Sequence, residues 1–155
     1  MTKQTFKWDD PFLLNDQLTD EEKMILTPTY HVMEMYNVHQ DAKLLPLTIT
    51  SNDFTFGNQK LKALSASASI DSTGVTHVSL VNIDHKKSQE VTISLFGKNY
   101  GSVTGRILVS PKIDDHNTFE SPDKVKPVVF KDAKVSKGVL TVNLPPCSVV
   151  VLELK

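Results

Sequence analysis

From Pro46 onward, apolar and polar residues alternate in short β-branched runs broken by Gly, Pro, Asn and Asp, which is the pattern of strands separated by turns. Val91, Ile93 and Leu95 alternate with Thr92 and Ser94, and Leu140, Val142 and Leu144 alternate with Thr141 and Asn143. Successive side chains of a strand face opposite ways, so each run presents one apolar face, as half-buried antiparallel strands do. Strands are expected near 46–50, 53–57, 61–71, 75–84, 89–97, 103–110, 126–131, 133–136, 138–144 and 147–154. Residues 71–74 and 136–138 are compact turn signals suited to hairpins, and residues 97–101 read as a further hairpin turn. Residues 114–126 alternate little and form the one long connection, a crossover or surface loop. The fold class this implies is mainly β: an antiparallel β-sandwich preceded by one or two short helices.

Ahead of Pro46 the period changes. Thr19-Asp20-Glu21-Glu22 has the spacing of a capping box and starts a short helix. Thr27-Pro28 repeats the start signal, because Thr caps and Pro at the first helical position gives up an amide that would be unpaired anyway. The second helix runs from Pro28 to about His39. Val32, Met35, Tyr36 and His39 share one face of it, while Tyr30 and Met33 make a second face apolar, so it requires cover on more than one side. All four Met and the only Trp precede Pro46. The chain therefore divides into a leader over 1–22, a helical segment over 23–41 and a sandwich over 42–155.

With 155 residues the chain has the length of one domain. A (β/α)₈ barrel, at ~250 residues, does not fit within it. Seventeen Lys+Arg balance 18 Asp+Glu without a basic stripe, which argues against nucleic acid as a partner. Cys147 is the only cysteine, so no internal disulfide forms, and no Cys/His spacing suggests a metal. No cofactor motif is present. No run approaches 18 apolar residues and MTKQTFKWDD lacks an apolar signal core, so neither a membrane partner nor export is expected, and the cytoplasm is the expected location.

Candidate chemistry is sparse. His31 and His39 stand eight apart, more than two helical turns, and cannot share a metal as an i, i+4 pair does. His77 lies in a strand, and Asp84-His85 reads as a solvated turn pair. Ser65, Ser67 and Ser69 read as the polar face of a strand, since none sits in a nucleophile elbow. No pair of acids is nominated for glycoside hydrolysis, which needs two carboxyls ~5–10 Å apart. Phe54, Phe56, Phe96 and Phe130 suit a core. Tyr100 and Phe119, in a turn and a loop, remain as flat faces for stacking on sugars. Asp114, Asp115 and His116, with Asn117 next to them, are the best polar cluster, short of the ligand count of a calcium loop. These five residues, Tyr100, Phe119, Asp114, Asp115 and His116, are the candidate substrate-binding set; no catalytic residue is nominated.

The stretch Lys23 to Gln40, with its core Thr27-Pro28-Thr29-Tyr30-His31-Val32, then Met35-Tyr36 and His39, resembles the α-L-arabinofuranosidases of glycoside hydrolase family fifty-one. The resemblance continues through LSASASID (64–71), VSLVNID (78–84) and LPPCSVVVLEL (144–154). It implies that the helix is the last helix of a catalytic barrel and that the strands form a jelly-roll sandwich. It further implies that the catalytic glutamates lie on barrel strands outside this chain and that a strand from the parent's own N-terminus joins the sandwich. Residues 6–22 resemble the N-terminus of glutaryl-CoA-type acyl-CoA dehydrogenases, which would make the chain a chimera with a foreign leader. The expected role is that of an accessory sandwich, inactive alone, whose partner is the parent's barrel. The alternatives are a sugar-binding module and self-association through the helix Pro28–His39 or an open sheet edge.

Overall fold

The computed structural model describes residues 25–155. The leader, the capping box at Thr19 and the first expected helix lie outside the described residues. Helix α1 (Pro28–Tyr36) begins as the sequence predicts: the Thr27 hydroxyl accepts from the Tyr30 amide at 3.2 Å and Pro28 occupies the first turn. A short 3₁₀ turn, Asn37–His39, ends it earlier than expected, and Asp41 then adopts a positive φ of 57°.

Eleven strands follow: β1 (Lys43–Leu44), β2 (Asp53–Phe56), β3 (Gln59–Lys62), β4 (Leu64–Ile70), β5 (Thr76–Asn82), β6 (Gln89–Ser94), β7 (Val103–Leu108), β8 (Val128–Val129), β9 (Ala133–Ser136), β10 (Val139–Leu144) and β11 (Ser148–Leu154). A six-stranded sheet has the order β1-β4-β5-β11-β7-β8, a three-stranded sheet the order β6-β10-β9, and β2 and β3 form a separate ribbon. Every pairing is antiparallel. The two larger sheets close a β-sandwich.

The period of two sorts side chains between its faces. Val150, Leu152 and Leu154 of β11 join Val78 and Leu80 of β5, Ile107 of β7 and Leu140, Val142 and Leu144 of β10 in the interior. Each such burial is worth ~1.5–3 kcal/mol. On the other face of the large sheet, Leu108 and Val151 pack with Met35 of α1 and with Val125. The outer face of the small sheet, by contrast, is polar at Glu90, Thr92, Thr141 and Asn143, all exposed. The helix therefore makes a third layer on one side only.

Gly105 in β7 stands opposite Leu152 in β11. A Cβ at Gly105 would lie 2.5 Å from Leu152 Cδ2 and 3.0 Å from the Val151 carbonyl oxygen, so only glycine lets the strands pass here. The turn between β9 and β10 uses Lys137 and Gly138, both at positive φ, the type I′ geometry that matches strand twist.

A polar lattice ties the 3₁₀ turn to the sheet. His39 Nδ1 lies 2.7 Å from Ser69 Oγ and Nε2 lies 2.5 Å from Ser79 Oγ, so a neutral ring donates through one nitrogen and accepts through the other. His77, neighbour of both serines on the same face, is held by Asp71 Oδ2 at 2.9 Å. Burial first, and the His77 ring second, lower the His39 pKa. The hydrogen bond to His77, then that to Thr73, holds the Asp71 carboxyl far below its ordinary range.

Several expectations are corrected. Residues 46–50 form no strand: Leu45, Leu47 and Ile49 turn inward in alternation, yet the segment pairs with no neighbour. The strand expected over 61–71 is broken at Ala63, because the turn at Gly57-Asn58 folds 59–62 back on β2. Residues 97–101 are not a hairpin turn, since β6 and β7 belong to different sheets. Asp84 is buried rather than solvated, accepting from the Lys86 and Lys87 amides at 2.8 and 3.1 Å. Of the four phenylalanines assigned to the core, Phe130 is buried and Phe54 half-buried, but Phe56 and Phe96 are exposed.

Two outcomes follow for stability. Gly105→Ala should lose ~1–3 kcal/mol in urea unfolding, because the extra methyl forces Leu152 or the strand backbone to move. His39 has a folded pKa below its unfolded one, so its contribution is complete above the unfolded value of 6.5 and falls away as the pH drops below it. Stability should therefore decline from about pH 7 to pH 5, before any carboxylate titrates, and His39→Gln should flatten that slope in urea titrations across this range.

Candidate functional site

A broad concave surface lies on the outer face of the large sheet, beside α1. A groove of about 690 Å³ is lined by Glu34, Met35 and Val38 on one side, Val129 and Lys131 on the other, and Arg106, Val151 and Glu153 on its floor, among others. Its chemistry follows from strand parity. The inward positions of β7 and β11 fill the core, so Thr104, Arg106 and Glu153 fall outward. Arg106 donates to Glu34 Oε1 at 2.7 Å, pinning the helix across the sheet; both side chains are nearly half exposed, so the pair contributes under ~1 kcal/mol. The wall opposite the helix carries the exposed Val129, and the helix displays Tyr30 and Met33, the latter 70% exposed. The arrangement is that of a docking surface, with apolar patches around a charged seam.

The candidate sugar set is divided. Tyr100 sits where β7 begins: it packs against the core and its hydroxyl lies 2.9 Å from Thr76 Oγ, with Lys98 Nζ 5.4 Å from the ring centre. Asp114, Asp115, His116 and Phe119 follow the other end of β7, a strand of six residues, ~17–20 Å away along its length. Phe119 is exposed. Asp115 is engaged, 2.7 Å from Lys124 Nζ and 2.5 Å from Ser110 Oγ, and these contacts, Lys124 first, pull its pKa down to about 2. His116 Nδ1 donates to the Asp114 carbonyl at 3.0 Å. Asn117 fixes the loop: it donates to the Leu26 and Val125 carbonyls and accepts from the Val125 amide. Asp114 lines a cavity of about 300 Å³ with His85, Ser110, Lys112 and Cys147.

The Asp71–His77 and His39–Ser69/Ser79 contacts have the residue types of an acyl-transfer triad without its connectivity. The aspartate orients one histidine and the serines bind another. Both hydroxyls are also buried, Ser69 to 3% and Ser79 to 0% exposure, so no substrate reaches them. Among the described residues no group of three His, Cys, Asp or Glu is placed to hold a metal ion, and no helix is long and apolar enough to cross a membrane. The sequence does carry a signal for the groove: Arg106 and Glu153 are charges at outward positions of otherwise apolar strands.

A family model for the α-L-arabinofuranosidase C-terminal domain matches residues 4–148, a span that takes in most of the leader. An intracellular exo-α-L-arabinofuranosidase of Bacteroides ovatus is 44% identical over 139 residues, 89% of this chain and 27% of that protein. The crystal structure of the family 51 arabinofuranosidase from Xanthomonas axonopodis pv. citri superposes with a TM-score of 0.85 at 38% identity, over 89% of this chain and 28% of that one. An α-L-arabinofuranosidase from Thermotoga maritima, solved as an arabinose complex, shares the fold at a TM-score of 0.74 and 23% identity. The chain thus spans under a third of the length of these relatives. With a matching model over nearly its whole length and the same sandwich in its relatives, the chain belongs to the α-L-arabinofuranosidase C-terminal domain family.

Proposed function

We propose that this domain is the accessory sandwich of an intracellular α-L-arabinofuranosidase, bracing the catalytic barrel of its parent enzyme and carrying no catalytic residue itself. The observation that carries this reading is the doubly apolar helix. Met35 and His31 of α1 are buried against the domain, while Tyr30 and Met33 face outward with nothing over them among the described residues. A barrel packed there would cover the outward face. The groove beside Arg106 extends the same surface.

The small sheet supports the reading independently. Among the described residues its edge strand β6 has no partner on one side, and a gap of about 220 Å³ separates it from residues 47–50, whose side chains alternate as a strand's do. One further strand would fit this lane, supplied by another part of the parent. The parent's substrate is a terminal α-L-arabinofuranoside of an arabinan or arabinoxylan. A second reading, sugar binding by the domain itself, is favoured only by the cavity beside Asp114, with its imidazole, hydroxyl, ammonium and carboxylate groups.

The test is hydrolysis of p-nitrophenyl-α-L-arabinofuranoside. The purified chain should release no p-nitrophenol above the blank, and adding it to a separately expressed barrel of a family 51 enzyme should raise that barrel's activity and melting temperature. Met33→Asp should weaken this association by roughly tenfold or more, since a methionine side chain buried on docking is worth ~1.5–3 kcal/mol. Hydrolysis by the chain alone would overturn the reading. Heat on titration with arabino-oligosaccharides, abolished by Asp114→Ala, would favour sugar binding instead.

A further inference from the structure

Strands β2 and β3 leave the sandwich as a ribbon. All of β3, and all of β2 except Phe54, is exposed. The register pairs Phe54 with Leu61 and Phe56 with Gln59, so Phe54, Phe56 and Leu61 share one face and Asp53, Thr55, Lys60 and Lys62 the other. On the polar face Lys62 Nζ lies 2.7 Å from Asp53 Oδ1. On the apolar face Phe54 meets the edge of His85, with ring centres 5.7 Å apart, but Phe56 and Leu61 are 79% and 63% exposed. Among the described residues both edges of the ribbon are unpaired. A two-stranded ribbon is marginal in water, and an open edge templates another chain.

The turn decides which groups face outward. Gly57, at φ 57°, and Asn58 form a two-residue turn of the II′ kind, which makes Phe56 and Gln59 the closing hydrogen-bonded pair. Hydrogen-bonded pairs alternate along an antiparallel ladder, so Phe54 also bonds across to β3. The amide and carbonyl of Thr55 then point to the open edge of β2.

We propose that this edge pairs with β2 of a second copy of the chain, antiparallel about a two-fold axis at Thr55. In that register Thr55 exchanges both hydrogen bonds with its counterpart, and each Phe54 stands across from the other copy's Phe56. These are adjacent non-hydrogen-bonded positions, where side chains lie closest. The four rings form one apolar strip on one face of a four-stranded sheet. Charge selects this edge over the other. Pairing through β3 about Leu61 would set Lys60 against the other copy's Lys62, whereas pairing through β2 places the two β3 strands about three inter-strand spacings apart, roughly 14 Å and beyond the Debye length. The contact is isologous, so it closes as a dimer and does not propagate. Its small extent makes the association weak, with a dissociation constant on the order of 0.1 mM. This inference does not depend on the barrel-bracing role.

Sedimentation velocity of the full chain from about 10 µM to about 1 mM should show a reversible shift from monomer to dimer. Thr55→Pro removes only an outward amide and leaves the ribbon's own ladder intact, so it should give a folded monomer throughout. Phe56→Lys should do the same by placing charge in the aromatic strip. Lys60→Gln on the far strand and Met33→Asp on the helix should leave dimerisation unchanged, and circular dichroism should confirm that each variant is folded. A wild-type monomer at 1 mM, a dimer that survives both β2 changes, or a dimer lost only with Met33→Asp would overturn the proposal.

Discussion

Strand β11 holds the domain together because it is apolar on both sides. Ser148–Leu154 lies in the middle of the large sheet, paired with β5 over its whole length and with β7 over six residues. Val150, Leu152 and Leu154 face the small sheet, and Val151 faces the helix. One strand thus belongs to two cores. A strand with one polar face would still close the sandwich but would give α1 nothing to pack on. The need for close approach at Gly105, where Leu152 fills the space a side chain would take, is a consequence of the same double burial.

The outer face of the large sheet changes character across its width, and the helical segment changes with it. Over β7 and β11 the packing is apolar, Met35 against Leu108 and Val151, with the exposed Arg106–Glu34 ion pair at its margin. Over β4 and β5 it is polar, His39 between Ser69 and Ser79, with His77 beside them bonded to Asp71. Dispersion tolerates sliding, whereas an imidazole bonded at both nitrogens does not. The apolar half supplies affinity and the polar half supplies register. The polar half also makes the docking of the 3₁₀ turn sensitive to protonation of His39.

Most of the sandwich was legible because its signals are local. The alternation at 139–144 and 148–154, the turn at 136–138 and the cap at Thr27 each depend on residues close in sequence. What was missed depends on partners. Leu45, Leu47 and Ile49 alternate as a strand would, but no ladder forms without a neighbour. Phe56 reads as core until the turn at Gly57-Asn58 carries it off the sandwich. The candidate set divides for the same reason: Tyr100 and Phe119 are both flat faces in loops, and only the strand register shows that β7 separates them. Nothing in the local pattern announced that Arg106 would meet Glu34 across 72 positions of sequence.

The two features left unfilled among the described residues lie on opposite flanks. The helix, with its outward Tyr30 and Met33, covers β7 and β11 on the outer layer. The vacant lane lies in the inner layer, between β6 and the segment at 47–50, beside Leu64 and Ala66 of β4. In the large sheet β4 and β7 are separated by β5 and β11, about three inter-strand spacings or roughly 14 Å. A strand laid along β6 contributes ladder hydrogen bonds, each worth only ~1 kcal/mol net, and draws most of its specificity from the alternation of its side chains. A body docked on the helix contributes apolar area instead. One rigid patch on a partner cannot do both. Filling both places requires two separate elements, one globular and one extended.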